Sequence, residues 1–176
     1  MIHTHTASSG LSTRQLCVAA VMGTCVFLMT IVPRIPIPLG YAHLGDAAIF
    51  LIVLLVGRRE GILAGCIGSA LADFIGGFPI WILPTLVIKF LMADTYWRIA
   101  LQHKERGKGR FSTFVGLVLA CLVMAAGYTI FGALIYDSLE AGLASTPGLL
   151  MEGAVNIAVF YLGRKALKRA GIPQVW

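Results

Sequence analysis

Long apolar blocks alternate with short polar breaks along this chain, and the breaks set the predicted elements. The first block predicts a helix over residues 12–32, with Ser12 or Thr13 as its N-cap. Further helices are predicted over 44–56, 61–75, 79–97, 111–136 and 148–167, with Pro84 as a kink point in the fourth. At about 1.5 Å rise per residue, the second and third reach roughly 20–23 Å, short of the ~30 Å hydrocarbon core of a bilayer. Short spans are tolerable where neighbouring protein, or water in a cavity, satisfies their backbone. No strands are expected. The pattern predicts one all-α integral membrane domain over residues 1–176, with six transmembrane helices, the second and third short.

Composition agrees with the pattern. Hydrophobic residues make up 58% of the chain and charged residues 12%, against about 25% charged in a soluble domain. A chain of 176 residues leaves no room for a separate ATPase or enzyme module. The N-terminal stretch is neither basic nor apolar, and the first block ends in a Pro-rich loop, so it is read as a retained span and not a signal peptide. The four cysteines lie scattered in apolar runs without ligand spacing, which indicates small apolar side chains, not a metal site or disulfide framework.

The net charge of +6 raises the question of nucleic acid, but its distribution answers it. Six spans place both termini on one side. If that side is cytoplasmic, it receives Arg14, Arg58, Arg59, Arg98, Lys104, Arg106, Lys108, Arg110 and the cluster at 164–169, while the outer loops receive Arg34. This is a positive-inside bias, with anionic lipid as the partner of the basic residues.

Polar chemistry then gathers on the outer face, in the breaks at 33–46 and 70–81 and at the start of the sixth span. Ionisable groups inside spans are costly and face a partner or a cavity. Here they are Asp46, Asp73, Lys89 and Glu152. One reading is a ligand pocket in which Tyr41, Phe78 and Trp81 stack on a ring while His43, Glu152 and Asn156 supply hydrogen bonds. The other is that Asp73 or Glu152 locks onto Lys89, that Tyr41 and Trp81 belong to an interfacial aromatic belt, and that Asp46 complements the dipole of the second helix. Small residues at four-residue spacing, Ala19 with Gly23 and Ala20 with Thr24, form close-contact strips on the first helix, for internal packing or a partner protein. No metalloprotease, serine-hydrolase or phosphate-loop signature is present.

The run from Tyr41 to Asp46, then Gly65 to Asp73, Gly77 to Trp81 and Leu83 to Lys89 resembles S components of energy-coupling factor (ECF) transporters, closest to the riboflavin-type and related vitamin group. The similarity extends over nearly the whole chain, and its specific part is Tyr41 to Lys89. The resemblance implies a membrane subunit, not an enzyme, that binds a vitamin or precursor from outside. It implies partners as well: a transmembrane T component and two cytoplasmic ATPases. By resemblance, ligand roles fall to Tyr41, His43, Trp81, Glu152 and Asn156, with Asp73 and Lys89 behind them. An Ala-xxx-Ala strip of the family becomes Ala19/Gly23 or Ala20/Thr24 here, and either strip could dock the T component. No cofactor or metal is expected. Competing readings are a small membrane enzyme acting on lipid and a structural membrane partner. The aromatic set suits a neutral or cationic ring such as a hydroxymethylpyrimidine, pyridoxine or a flavin; an unpaired Lys89 would instead favour an anion such as pantothenate.

Overall fold

The computed structural model describes residues 12–102 and 109–172; Lys104, Arg106 and Lys108 of the expected basic side lie outside the described residues. The described chain folds into six helices: α1 (Thr13–Ile31), α2 (Gly45–Leu55), α3 (Arg58–Gly76), α4 (Ile82–Tyr96), α5 (Gly109–Ile135) and α6 (Leu139–Arg169). A 3₁₀ turn at Pro79–Trp81 leads into α4, and a π-helical turn at Trp97–Leu101 extends it. Four of these segments are long and apolar enough to cross a membrane: Thr13–Ile31, Pro79–Leu101, Gly109–Ile135 and Leu139–Arg169.

Ser12 caps α1 as expected, exchanging hydrogen bonds with Gln15 in a capping box. Other boundaries depart from the expected ones. Helix α3 begins at Arg58, not residue 61, because Gly57 takes a positive φ of 132° and turns the chain directly into the helix. Its charged first turn is not loop: Arg58 reaches Asp94 of α4 at 2.6 Å, and Asp94 also accepts from Arg98 at 2.7 Å. At 19 residues α3 is therefore not a short element. Helix α6 begins at Leu139, not residue 148, capped by the Ser138 hydroxyl, and runs through Pro147. Proline forfeits one backbone bond there, which packed neighbours make tolerable, and Thr146 bonds Thr129 of α5 at 2.8 Å beside it.

Strands also form, against expectation. Ile35–Ile37 (β1) and Gly40–Ala42 (β2) pair antiparallel, with Pro36 opposite Tyr41. Two strands that need no further neighbours can carry prolines on their edges. The turn is Pro38–Leu39, and Leu39 sits at φ 63°, the left-handed region that costs a branched residue about 1–2 kcal/mol.

Helix α2 is short, at 11 residues, and its position explains why that suffices. It is buried along most of its length and packs on α1, α3, α4 and α6, so little of its backbone end region meets lipid. Its apolar residues point all ways, as in a helix enclosed by others. Its Phe50 meets Tyr96 and Phe160, the three rings lying 5.1, 5.8 and 6.5 Å apart. Above it, Asp46 and Lys89, 0% and 1% exposed, form an ion pair at 2.5 Å between α2 and α4. The sequence leaves Lys89 open between pairing with Asp73 or Glu152 and facing a ligand, and assigns Asp46 a structural capping role at the start of the second helix. The fold corrects this, because the start of α2 lies against the middle of α4, whereas the Asp73 carboxylate is engaged by Thr85 at 2.5 Å.

Helices α1 and α3 approach closely along their small residues. A Cβ on Gly68 would lie 2.5 Å from the Gly23 carbonyl oxygen and 2.9 Å from Val26, whereas one on Gly23 would meet ordinary contacts at 3.7 Å. Gly68→Ala is accordingly expected to destabilise by about 1–3 kcal/mol through overpacking, with Gly23→Ala nearly neutral, as read by thermal unfolding in detergent. For the buried pair, Lys89→Met alone is expected to cost about 3–5 kcal/mol by stranding the Asp46 carboxylate. Adding Asp46→Leu should recover most of that loss, and a double variant no better than the single would mean the pair is not the cause.

Candidate functional site

The hairpin, the C-terminal end of α3, the entry to α4 and the upper parts of α5 and α6 enclose a cavity. Its wall is formed by residues 37–41 of the hairpin, His43, Asp73, Phe78, Trp81, Tyr128, Ser145, Leu149 and Glu152. The space measures about 500 Å³ counted with its mouth. Ser145 closes the roof by donating to the Pro38 carbonyl at 2.5 Å.

Aromatic rings make up much of the wall. Tyr41 lies 5.5 Å from Phe78 and 5.8 Å from His43, and Trp81 lies 5.6 Å from Tyr128, all tilted. Trp81 is 5% exposed, so it faces protein and not the lipid boundary of an aromatic belt. Arg34 stacks over Tyr41, its guanidinium carbon 4.4 Å from the ring centroid. The Tyr41 hydroxyl points to Asp73 Oδ1 at 3.4 Å, and burial followed by the Asp73 charge pushes that phenol up to about 12.

The polar floor is a linked network. Asn156 Oδ1 accepts from the Ala47 backbone N–H at 2.8 Å, while its Nδ2 donates to the His43 carbonyl at 2.8 Å and the Glu152 carbonyl at 2.9 Å. That amide is fully engaged and 0% exposed, and Asn156 is absent from the cavity wall. Its geometry is that of a clamp holding the entry to α2 against α6, and it holds cavity-lining His43 and Glu152 in place. Lys89 likewise stays under the floor, between Asp46 and the Tyr128 ring, whose centroid is 5.3 Å from Nζ.

His43 Nδ1 accepts from the Gly45 N–H at 3.1 Å and stands 3.2 Å from Glu152 Oε1. Burial, followed by the Lys89 charge, lowers His43 to about 4, so its ring is neutral near pH 7. Two acceptors thus face each other unless one carries a hydrogen. Glu152 Oε1 accordingly has no hydrogen-bond donor among the described residues, and the same holds for the Trp81 Nε1 donor.

His43, Asp46 and Glu152 also bring one ligand atom each within 4.8 Å of one another, a set that spacing along the chain did not announce. These are donor types for a divalent cation. The Lys89 ammonium already meets Asp46 there, and its charge is the counter-charge of the cluster.

Of the expected ligand residues, Tyr41, His43, Phe78, Trp81 and Glu152 line one cavity, as does second-rank Asp73. Tyr128, Ser145 and Leu149 were not anticipated. A tyrosine in the middle of the apolar fifth block was a signal for Tyr128; Ser145 lay in a stretch read as loop. On the first helix, Ala19 and Gly23 are buried against α3, while Ala20 and Thr24 are exposed.

The family model that matches the chain is described as "ECF-type riboflavin transporter, S component" and covers residues 10–169. A protein of Pyrococcus woesei, described as an uncharacterized protein in gap 3'region, is 38% identical over 114 residues, or 63% of this chain and 73% of that one. A solved structure, described as that of the S component of a bacterial ECF transporter, superposes with a TM-score of 0.72 at 18% identity, covering 89% of this chain and 96% of the other. The family match takes in every helix of the bundle, and the chain belongs to the ECF-type S components, substrate-binding multi-pass subunits of cell-membrane transporters and not enzymes.

Proposed function

We propose that this chain captures a ring-containing B vitamin or vitamin precursor from outside the cell and hands it to a T component driven by two cytoplasmic ATPase subunits. The observation that carries this reading is the cavity: an aromatic chamber with two carboxylates in its wall, roofed by a hairpin. In the proposed orientation all six helices lie in the membrane with both termini cytoplasmic. Arg58, Arg59 and Arg98 at the opposite end of the bundle from the hairpin support that orientation through the positive-inside rule.

A cavity covered by the hairpin favours a roof that lifts to admit a ring. Two features of the hairpin suit that role. Leu39 holds a strained backbone whose release helps opening, and the hairpin is tied by two side-chain bonds, Ser145 to Pro38 and Tyr41 to Asp73. The pairing of Lys89 with Asp46 removes the argument for an anionic cargo such as pantothenate. The family name offers riboflavin as one candidate among ring-bearing vitamins.

For the partner, the exposed Ala20/Thr24 strip is the better candidate of the two on α1, since Ala19 and Gly23, which line the same groove, are buried at its base. An apolar groove flanks it, with Leu63, Ile67, Leu71 and Ile75 of α3 on its far side. Small residues beside a groove let a foreign helix approach closely.

Tryptophan fluorescence of the purified, detergent-solubilised protein, titrated with a panel of B vitamins and precursors, tests the first claim. Saturable submicromolar quenching by one ring-bearing compound is expected, lost in Trp81→Ala; a flat response across the panel from folded protein would remove the vitamin reading. Ala20→Trp tests the second claim: import by cells carrying the whole transporter should fall at least tenfold while cargo binding by the isolated subunit is unchanged. Equal import by variant and parent would move the docking face elsewhere.

A further inference from the structure

Arg34 is the single basic residue that the sequence places in the outer loops, and it is not part of the cavity wall. It stands at the base of the hairpin, directly before β1. An arginine at the end of a surface loop ordinarily turns to water. Here its Nε and Nη2 are buried with no hydrogen-bond partner among the described residues, and its guanidinium carbon lies 4.4 Å from the centroid of the Tyr41 ring. Burying unanswered N–H groups is costly, so a surface must hold the side chain in this place.

That surface is the last turn of α3. Gly76 ends the helix, and Gly77 beyond it takes a left-handed φ of 88° that turns the chain away. A Cβ built on Gly76 would lie 2.6 Å from Arg34 Nη2 and 3.3 Å from its guanidinium carbon, so only bare backbone leaves room for the group. The C-terminal end of a helix carries partial negative charge and favours a cation against it. Arg34 therefore bridges the end of α3 and the Tyr41 ring.

Tyr41 is the wall residue that this bridge locates. Opposite it in the hairpin stands Pro36, which has no N–H to give the ladder. Side-chain contacts must then set where the ring lies. Its hydroxyl reaches Asp73 Oδ1 at 3.4 Å, its ring meets Phe78 at 5.5 Å, and Arg34 stacks on it. Asp73 and Phe78 are wall residues themselves, whereas Arg34 reaches the cavity through Tyr41 alone.

Resting on the capture reading, we infer that Arg34 is a positioning residue of the cargo site, seating the Tyr41 ring in the wall by bridging it to the end of α3, with Gly76 as the clearance that admits it. Its charge is not addressed to the cargo. It acts as a flat cation on a ring face, which lysine reproduces poorly. The base of the hairpin is thereby anchored, while its tip hangs on the Ser145 contact to Pro38.

Two readouts on the detergent-solubilised full chain test this: amide hydrogen exchange across residues 33–44 without cargo, and riboflavin affinity by calorimetric titration. Gly76→Ala is the sharper variant, because its new Cβ would meet the far end of the Arg34 side chain before anything else. It should leave thermal unfolding unchanged, yet speed exchange in the hairpin and weaken riboflavin by about fivefold each, the scale of one lost cation–ring contact. Arg34→Lys should do the same, and Gly76→Ala should add nothing to Arg34→Ala. Parent-like exchange and affinity in Gly76→Ala, full recovery by Arg34→Lys, or additive losses in the double variant would overturn the assignment. If the folded parent binds no riboflavin, the capture reading fails for that cargo, and the exchange measurement still decides the role of Arg34.

Discussion

The ion pair between Lys89 and Asp46 is the constraint on which the site depends. Both groups are withdrawn from solvent between α2 and α4, and isolated charges there would be prohibitively costly. Together, at 2.5 Å and with the Tyr128 ring over the ammonium, they are tolerable. The pair fixes where α2 begins, and Asn156 fixes the same point from α6 through the Ala47 N–H and the His43 carbonyl. A helix of 11 residues has few contacts of its own with which to choose a register. Two polar ties from two different helices choose it.

What those ties position is the cavity floor. With α2 pinned, His43 is held beside Glu152, and Lys89 is held below both, so a positive charge that could have faced the ligand is instead used inside the fold. The chamber therefore presents aromatic faces and acceptors. The roof obeys an opposite logic. The hairpin is a two-stranded element, marginal by itself, with a strained Leu39 at its turn and one side-chain bond to α6. A rigid floor and a weakly held roof are the physical requirements of a site that must recognise closely and still open.

Much of this was legible in the sequence, and the exceptions have identifiable causes. Apolar blocks located every helix, and the polar breaks located Tyr41, His43, Phe78, Trp81 and Glu152, which meet in one cavity. Polar residues in apolar surroundings are few, so each stands out. Partner choice was another matter. On sequence grounds Lys89 pairs with Asp73 or Glu152 or faces a ligand, and the selection of Asp46 follows from helix placement, which spacing along one helix does not contain. Asn156 and Glu152 share a helical face four residues apart, yet a small difference in depth puts Glu152 on the wall and Asn156 beneath it. The hairpin escaped because Pro36 and Pro38 sit in a Pro-rich stretch read as loop, and the start of α6 escaped because its first turns carry polar and small residues up to Pro147.

The relation between fold and cargo closes the argument. A likeness at TM-score 0.72 with 18% identity preserves the arrangement of helices while leaving most side chains free to differ. The parts that build the frame here are small residues and buried ties: Gly68 against Gly23, Lys89 against Asp46, Asn156 against the entry to α2. None of them needs to touch a ligand. The residues that line the chamber, Trp81 and Glu152 foremost, make few of those framing contacts, and so can change without disturbing the bundle. A fold of this kind can be kept while its cargo changes, and for that reason the identity of the cargo must be argued from the residues of the chamber wall and not from the shape of the bundle.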